Sequence, residues 1–291
     1  MKKFLPYLYI CAAFMLAACN TQPQKAADET VQVKWCTFNL RYDEPHDSLN
    51  SWPYRKDTVA HFIQNQGLDI IGMQEVLHHQ LEDLKERLPE YEAIGVGRDD
   101  GDTKGEYSCL LYKKDRFKVL DSNTFWLSQY PDSIGFIGWD GACPRIATWA
   151  KFEDIATGKI FMAVNTHFDH VGLEARKNSA LMIIDKIKEI VGEQPAVLTG
   201  DFNINDQDEA YKTITTNEFV LLDSHKTAKF ADGPSYTYHG WGKVAPEERK
   251  KIDFIFVTPN ISVEKSWIPE EPDTEWGFVS DHNPVIATLT F

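Results

Sequence analysis

Cysteine is the first shortage. The chain has five, and Cys11 and Cys19 sit near its start. Cys36, Cys109 and Cys143 remain, an odd set with no CxxC pair and no Cys/His spacing suited to zinc. Neither a disulfide scaffold nor a structural zinc is expected. Cys36 and Cys109 lie in apolar, strand-like runs and read as small buried hydrophobes. Positive charge is also short: 30 Lys and Arg against 44 Asp and Glu give a net charge of −14. That argues against a broad basic groove for nucleic acid, although a bound metal ion can reverse the local field. Internal repeats and low-complexity linkers are missing from residues 31–291, so nothing divides them, and one large domain fits the length. The apolar run Phe4 to Ala17 is too short to span a bilayer.

That run has another use. Lys2 and Lys3 precede it, as in the positive region of a secretory leader. Leu16-Ala17-Ala18-Cys19 ends it and resembles a bacterial lipobox, in which the cysteine is lipidated after cleavage. The alternative is an ordinary secretory signal with an incidental cysteine. The expectation is a lipoprotein signal peptide at 1–18, a lipidated polar tether at 19–31 and a folded domain at 32–291. The protein would then be lipid-anchored in the cell envelope, at the outer-membrane or periplasmic face. Its only membrane contact would be the lipid on Cys19, which anchors without spanning. Loss of Lys2 and Lys3 would deepen the net charge from −14 to −16.

What is present is a succession of short apolar strands and a few helices. Val31 to Leu40 alternates and reads as the first strand; residues 41–52 are a loop. Pro53 can open a helix that runs to Gln66, with Gly67 as its cap. Leu68 to Met73 is a buried strand. Leu77, Leu81, Leu84 and Leu88 recur at helical spacing until Pro89. Strands follow at 91–97, 106–112, 117–127, 145–152 and 160–166. Residues 128–144 form a long loop. Leu173 to Val191 is the longest helical pattern. Beyond the strand at 195–199, a short helix is expected near 208–217, with strands near 219–223, 235–239, 251–258 and 284–291. Hairpins mixed with helical crossovers suggest one α/β domain with a mixed sheet or two stacked sheets.

The polar residues gather where strands end. The stretch PAVLTGDFNIN at 195–205 delivers Asp201 and Asn203 to one face and Phe202 to the other. An acid and an amide beside Gly200 suit a metal, water or phosphate site, and equally suit a plain turn. Other strand ends weigh on the choice. Asn39 follows one apolar run, Glu75 another, and His167 with Asp169 a third. Asp253 sits inside IDFIF, where an unpaired buried acid is costly, and His282 is the obvious partner. Asp281 and His282 immediately precede the last strand. So many acids, amides and histidines at strand ends point to one shared edge, the place where loops carry chemistry.

Six segments then occur in a fixed order: TFNLR at 37–41, IIGMQEV at 70–76, NTHFDH at 165–170, TGDFN at 199–203, IDFIF at 252–256 and SDHNPV at 280–285. Each alone is weak. Together they resemble the endonuclease/exonuclease/phosphatase superfamily, the DNase-like metal phosphoesterases, over about residues 32–291. The resemblance implies a four-layer α/β sandwich, two mixed β-sheets packed face to face with helices outside. It implies a metal set of Asn39, Glu75 and Asp281 for Mg2+, with Mn2+ as an alternative. It also implies a catalytic set: His167 at the scissile phosphate, Asp201 on the attacking water, Asn203 on the phosphate, and Asp253 orienting His282. These residue types suit the chemistry. A hard cation held by oxygens neutralises charge in the transition state, and histidine moves protons near neutral pH. Phosphoryl transfer needs positioning and electrostatics above all.

Three further residues are candidates for substrate binding. Arg145 opens the strand PRIATW, Arg176 lies early in the long helix, and His170 extends THFDH. For Arg176 a solvated helix charge is the competing role, and for His170 simple loop closure. Trp52, Arg55, Trp126, Trp139 and Trp241 could stack on a base or sugar, or anchor loops. The expected function is Mg-dependent hydrolysis of a small soluble phosphoester such as a sugar, inositol or nucleotide phosphate, by a monomer. The alternatives are a secreted nuclease or phosphodiesterase acting on nucleic acid, and a non-catalytic binding lipoprotein on the same fold.

Overall fold

A computed structural model describes residues 1–2, 30–192, 194–270 and 277–291. All but the first two residues of the expected leader, and most of the tether, therefore lie outside the described residues. Among those described, no helix is long and apolar enough to cross a membrane.

Among the described residues, thirteen strands and five α-helices follow in chain order. The first half contains β1 (Gln32–Asn39), α1 (Trp52–Gln66), β2 (Ile70–Val76), α2 (His78–Arg87), β3 (Tyr91–Ile94), β4 (Tyr107–Lys113), β5 (Phe117–Trp126) and β6 (Ile146–Asp154). The second contains β7 (Ile160–His167), α3 (Leu173–Val191), β8 (Ala196–Asp201), α4 (Glu209–Thr216), β9 (Leu222–Asp223), α5 (Ser224–Thr227), β10 (Phe230–Asp232), β11 (Asp253–Val257), β12 (Ser262–Trp267) and β13 (Val285–Thr290). They form a seven-stranded sheet, β10-β12-β13-β1-β2-β4-β3, and a six-stranded sheet, β5-β6-β7-β8-β11-β9. Both are mixed: β1 runs parallel to β2 and β7 parallel to β8, with antiparallel neighbours around them.

Three apolar clusters make this a four-layer sandwich. Trp35, Phe152, Phe161, Val197, Ile255 and Val285 meet between the sheets. Val59, Ile63 and Leu84 of α1 and α2 cover the outer face of the larger sheet, against Phe38, Ile71 and Ile286. Ile183, Ile187 and Ile214 of α3 and α4 cover the smaller sheet, against Leu198, Phe202 and Phe256. The predicted two-sheet architecture with outer helices is therefore observed. Gly67 ends α1 in the left-handed region at φ 60°, where glycine has no Cβ penalty.

Several local expectations are corrected. Residues 235–239 are no strand; Tyr238 alone makes isolated bridges, to Lys250 and His282. The strand expected at 219–223 shrinks to two residues. A 3-10 turn, Pro45–Asn50, sits in the expected loop. Strand β12 was not anticipated, because its sequence SVEKSW carries charges at its centre and a bulge between Val263 and Lys265 breaks its alternation.

The inner faces of the central strands share one gradient. Side chains two apart share a face. On β7 the inward sequence is Ala163, Asn165, His167; on β8 it is Val197, Thr199, Asp201; on β1 it is Trp35, Thr37, Asn39. Strand β11 runs the other way, Val257, Ile255, Asp253. Each begins in the inter-sheet apolar core and ends at polar side chains on one edge. Midway, Asn165 donates to the carbonyls of Met73 and Cys109 across the sheets at 2.8 and 2.9 Å, and accepts from Gln74 at 2.6 Å. At Gly72 the sheets approach so closely that a Cβ would lie 2.2 Å from Thr199 Oγ1.

Candidate active site

The polar ends meet at a cavity of about 490 Å3. At its centre is the Asp201 carboxylate. Its Oδ2 accepts from Asn39 Nδ2 at 2.9 Å and lies 3.6 Å from His167 Nε2 and 3.8 Å from His282 Nε2. Its Oδ1 accepts the Asn203 N–H at 3.0 Å. Asn203 Nδ2 reaches the Phe168 carbonyl at 3.0 Å and His167 Nε2 at 3.1 Å. Asn39 and the segment before β13 come from the larger sheet, while His167, Asp201 and Asp253 come from the smaller. The site is thus a junction of both sheet edges, tied across by Asn39 to Asp201 and by His282 to Asp253, while Ser280 braces the larger-sheet side by donating to the Asn39 carbonyl at 2.6 Å.

Asp253 and His282 are paired at 2.9 Å, Oδ2 to Nδ1. Burial alone would lower the His282 pKa, but the Asp253 carboxylate outweighs it, with help from Asp201 and Asp281, and raises it. Burial and the Asp253 charge push Asp201 upward, against the pull of His282. His167 shifts down, through burial and the nearby Arg145 and Arg98 cations.

Glu75 reaches the cavity by an irregular route. Gln74 already points between the sheets, so regular alternation would send Glu75 to the other face. The β2–β4 pairing slips between Met73 and Val76, and Glu75 adopts φ 59°. A bulge with a left-handed residue re-aims the carboxylate. Arg41 and Asn203, which also line the cavity, have φ 57° and 50°. Each such residue costs about 1–3 kcal/mol, and such strain gathers at functional sites. Glu75 accepts from Asn39 at 3.1 Å and from the Tyr42 N–H at 3.2 Å.

The donor set suits a hard cation. Glu75, His167 and Asp201 offer ligand atoms within 4.8 Å of one another. Asp281 lines the same cavity, and burial together with the Glu75 charge raises its pKa, so the two acids gain from a shared positive charge. No cysteine joins them, and oxygen ligands match Mg2+ or Mn2+. Asn39 braces the carboxylates through Nδ2, while its Oδ1 accepts the Arg41 N–H at 2.9 Å.

The structure brings Asn39, Glu75, His167, Asp201, Asn203, Asp253, Asp281 and His282 together. Arg145 and His170 line the same cavity and touch at 3.0 Å, Nη2 to Nδ1. Arg145 is buried, and its Nη1 has no partner. Asp169 sits behind it, 3.5 Å from Arg145 Nε. Burial would raise the Asp169 pKa, but the N–H groups of Gly172, Val171 and Ala142 hold it at about 2. Arg176 is not among the lining residues; it donates to the Asp169 carbonyl at 2.9 Å. Trp52 and Trp241 flank the buried Arg55 guanidinium and anchor loops. Sequence reasoning missed Arg41, Tyr42, Arg98, Glu106 and Tyr238. Arg41 lies inside TFNLR. Glu106 continues the inward face of β4 beyond Tyr112, Leu110 and Ser108, a period-two signal that was available.

Buried carboxylates and two histidines around a cavity of about 490 Å3 at a sheet edge are the site of a phosphoester hydrolase. The model of the Endonuclease/Exonuclease/phosphatase family matches residues 36–282, and the chain belongs to that family of metal-dependent enzymes. It is similar to the crystal structure of an endonuclease/exonuclease/phosphatase from Bacteroides vulgatus, at 62% identity and TM-score 0.87, covering 89% of this chain and 98% of that one. It is also similar to a Bacteroides thetaiotaomicron mannosyl-6-phosphatase, at 36% identity and TM-score 0.83, covering 89% and 100%. A probable CCR4-Not complex 3'-5'-exoribonuclease subunit from Vairimorpha ceranae is 27% identical over 240 residues, 72% of this chain. The match spans 50% of that relative's length.

Proposed function

We propose that the chain hydrolyses a small soluble phosphomonoester, a sugar phosphate ahead of an inositol or nucleotide phosphate, with Mg2+ as cofactor and Mn2+ as a substitute. The observation that carries this is the convergence of Asn39, His167 and His282 on Asp201 Oδ2, between 2.9 and 3.8 Å. Binding alone needs no acid so placed. Asp201 takes the proton of the attacking water. Asn203, His167 and the unpartnered Nη1 of Arg145 hold the phosphoryl oxygens. His282, kept protonated by Asp253, adds a charged hydrogen bond. Glu75 and Asp281, with Asn39 bracing Glu75, would hold the cation, which when bound offsets the charge developing on the phosphoryl group.

The monoesterase reading draws on the mannosyl-6-phosphatase relative and on the −14 charge of the chain. The exoribonuclease relative favours nuclease or phosphodiesterase activity as the second reading. The leader pattern supports a lipid anchor at Cys19 in the cell envelope, and a monomer needs nothing beyond this cavity. The test is phosphate release from mannose 6-phosphate, a phosphodiester and DNA, with Mg2+ and after chelation. Activity should vanish in excess chelator. Glu75→Gln should raise the metal concentration needed by at least roughly 10–100-fold, the scale set by losing only an outer partner of a metal ligand. Full turnover in chelator would end the metal reading.

A further inference from the structure

We propose that Arg98 and Glu106 read the leaving group, selecting a neutral polyhydroxylated one over an anionic one. This rests on the phosphomonoesterase reading above. The groups assigned to the phosphate leave this pair unused, yet both residues line the catalytic cavity. Arg98 Nη1 and Nη2 donate to the two Glu106 oxygens at 2.8 and 2.7 Å. Their side chains are only 15% and 18% exposed. Glu106 stands 4.0 Å from His167 Nδ1, so the pair adjoins the reacting centre.

The pair is built in advance. Residues 97–106 fold back on themselves: Arg98 donates its N–H to the Glu106 carbonyl at 3.2 Å, and Asp99 to the Lys104 carbonyl at 3.1 Å. Asp100 accepts from the N–H groups of Asp102 and Lys104 at 2.9 Å each. Trp126 Nε1 fixes the Arg98 carbonyl at 2.8 Å. Capacity remains. Arg98 Nε and His167 Nδ1 are buried without a hydrogen bond, each with a carboxylate 4.0 Å away, and each Glu106 oxygen keeps a lone pair beyond its bond to Arg98. A carboxylate here repels a second phosphate, which disfavours a nucleotide chain. A hydroxyl both donates and accepts, so it can give to Glu106 and take from Arg98. An array of hydroxyls, as on a sugar, matches such an alternating wall.

The test compares kcat/KM for mannose 6-phosphate, mannose 1,6-bisphosphate and phenyl phosphate, whose leaving group lacks hydroxyls. Wild type, Glu106→Gln and Arg98→Gln are measured, each with its melting temperature. A hydrogen bond to a charged group is worth enough to predict about a tenfold or greater fall in the ratio of mannose 6-phosphate to phenyl phosphate, mainly through KM. Glu106→Gln should also raise the bisphosphate relative to mannose 6-phosphate. Loss of all three substrates by one factor, the signature of a purely structural pair, would overturn the inference alone. A wild-type protein that releases phosphate from none of them would overturn the monoesterase reading and this inference with it.

Discussion

The inter-sheet space has two halves that obey different rules. In one, Trp35, Phe161, Val197 and Ile255 meet with no polar atom to satisfy beyond the indole N–H, and packing alone holds them. In the other, the same strands present Asn39, His167, Asp201 and Asp253, buried yet polar. Between them lies a neutral hydrogen-bonded layer of Thr37, Gln74, Asn165 and Thr199. The layer lets the sheets part from apolar packing with its amides and hydroxyls bonded to one another, Gln74 Oε1 alone of these going without a hydrogen bond. The apolar half supplies stability; the polar half holds burdened carboxylates and left-handed residues that stability alone would not select.

The sharpest break in this contrast should come from the histidines. His167→Ala and His282→Ala should each lower kcat by roughly two orders of magnitude, the usual scale of a positioned acid–base group. Normal turnover with a large loss of stability would make them core residues after all. Asn165→Leu tests the middle layer. It takes the Asn165 amide away from the Met73 and Cys109 carbonyls, at about 1–3 kcal/mol for each group left unsatisfied, while Gln74 Nε2 keeps Thr37 Oγ1 and the Gly72 carbonyl. Its unfolding midpoint in denaturant should drop clearly while kcat changes less than about threefold, because no reacting atom is touched. A variant that kept its stability but lost its turnover would move Asn165 into the catalytic half.

The smallest effect is on stability against pH. The His282 pKa is raised in the folded chain, to about 10 from an ordinary 6.5. A raised histidine stabilises fully below its unfolded value and loses that contribution as pH rises through the folded one. Melting temperature in metal-free buffer should therefore decline between pH 7 and 10, and Asp253→Asn should flatten the decline. A slope identical in both proteins would detach His282 from Asp253.

The strands and helices of the core were readable because their periodicity is strong: α1, β1 and β8 fall close to their expected bounds. The ordered polar segments alone place Asn39, Glu75, His167, Asp201 and His282 in one group. What stayed hidden was irregular backbone. Nothing in IIGMQEV announces the bulge that turns Glu75 inward. Tyr238 sits in a stretch that mimics a strand but makes only bridges, and its ring lies 5.0 Å from the His282 ring. The alternation of β4 reaches Glu106, but its two-pronged pairing with Arg98 depends on how residues 97–106 close, which alternation does not carry. Arg176, plausible by charge, ends up bracing the Asp169 carbonyl, outside the cavity lining.

Two positions on one face of β8 test the division most directly: Val197 in the apolar half and Asp201 in the polar half. Asp201→Asn keeps size and turn geometry but removes the proton acceptor. It should fold with a near-native melting temperature and lose about 100- to 10,000-fold in kcat. Val197→Ala should instead cost about 1–3 kcal/mol of stability, from two lost methyl groups and the cavity they leave, with kcat nearly intact. The decisive measurement is kcat and melting temperature for this pair, side by side. A stable Asp201→Asn protein with wild-type turnover would contradict the assignment of chemistry to the polar half.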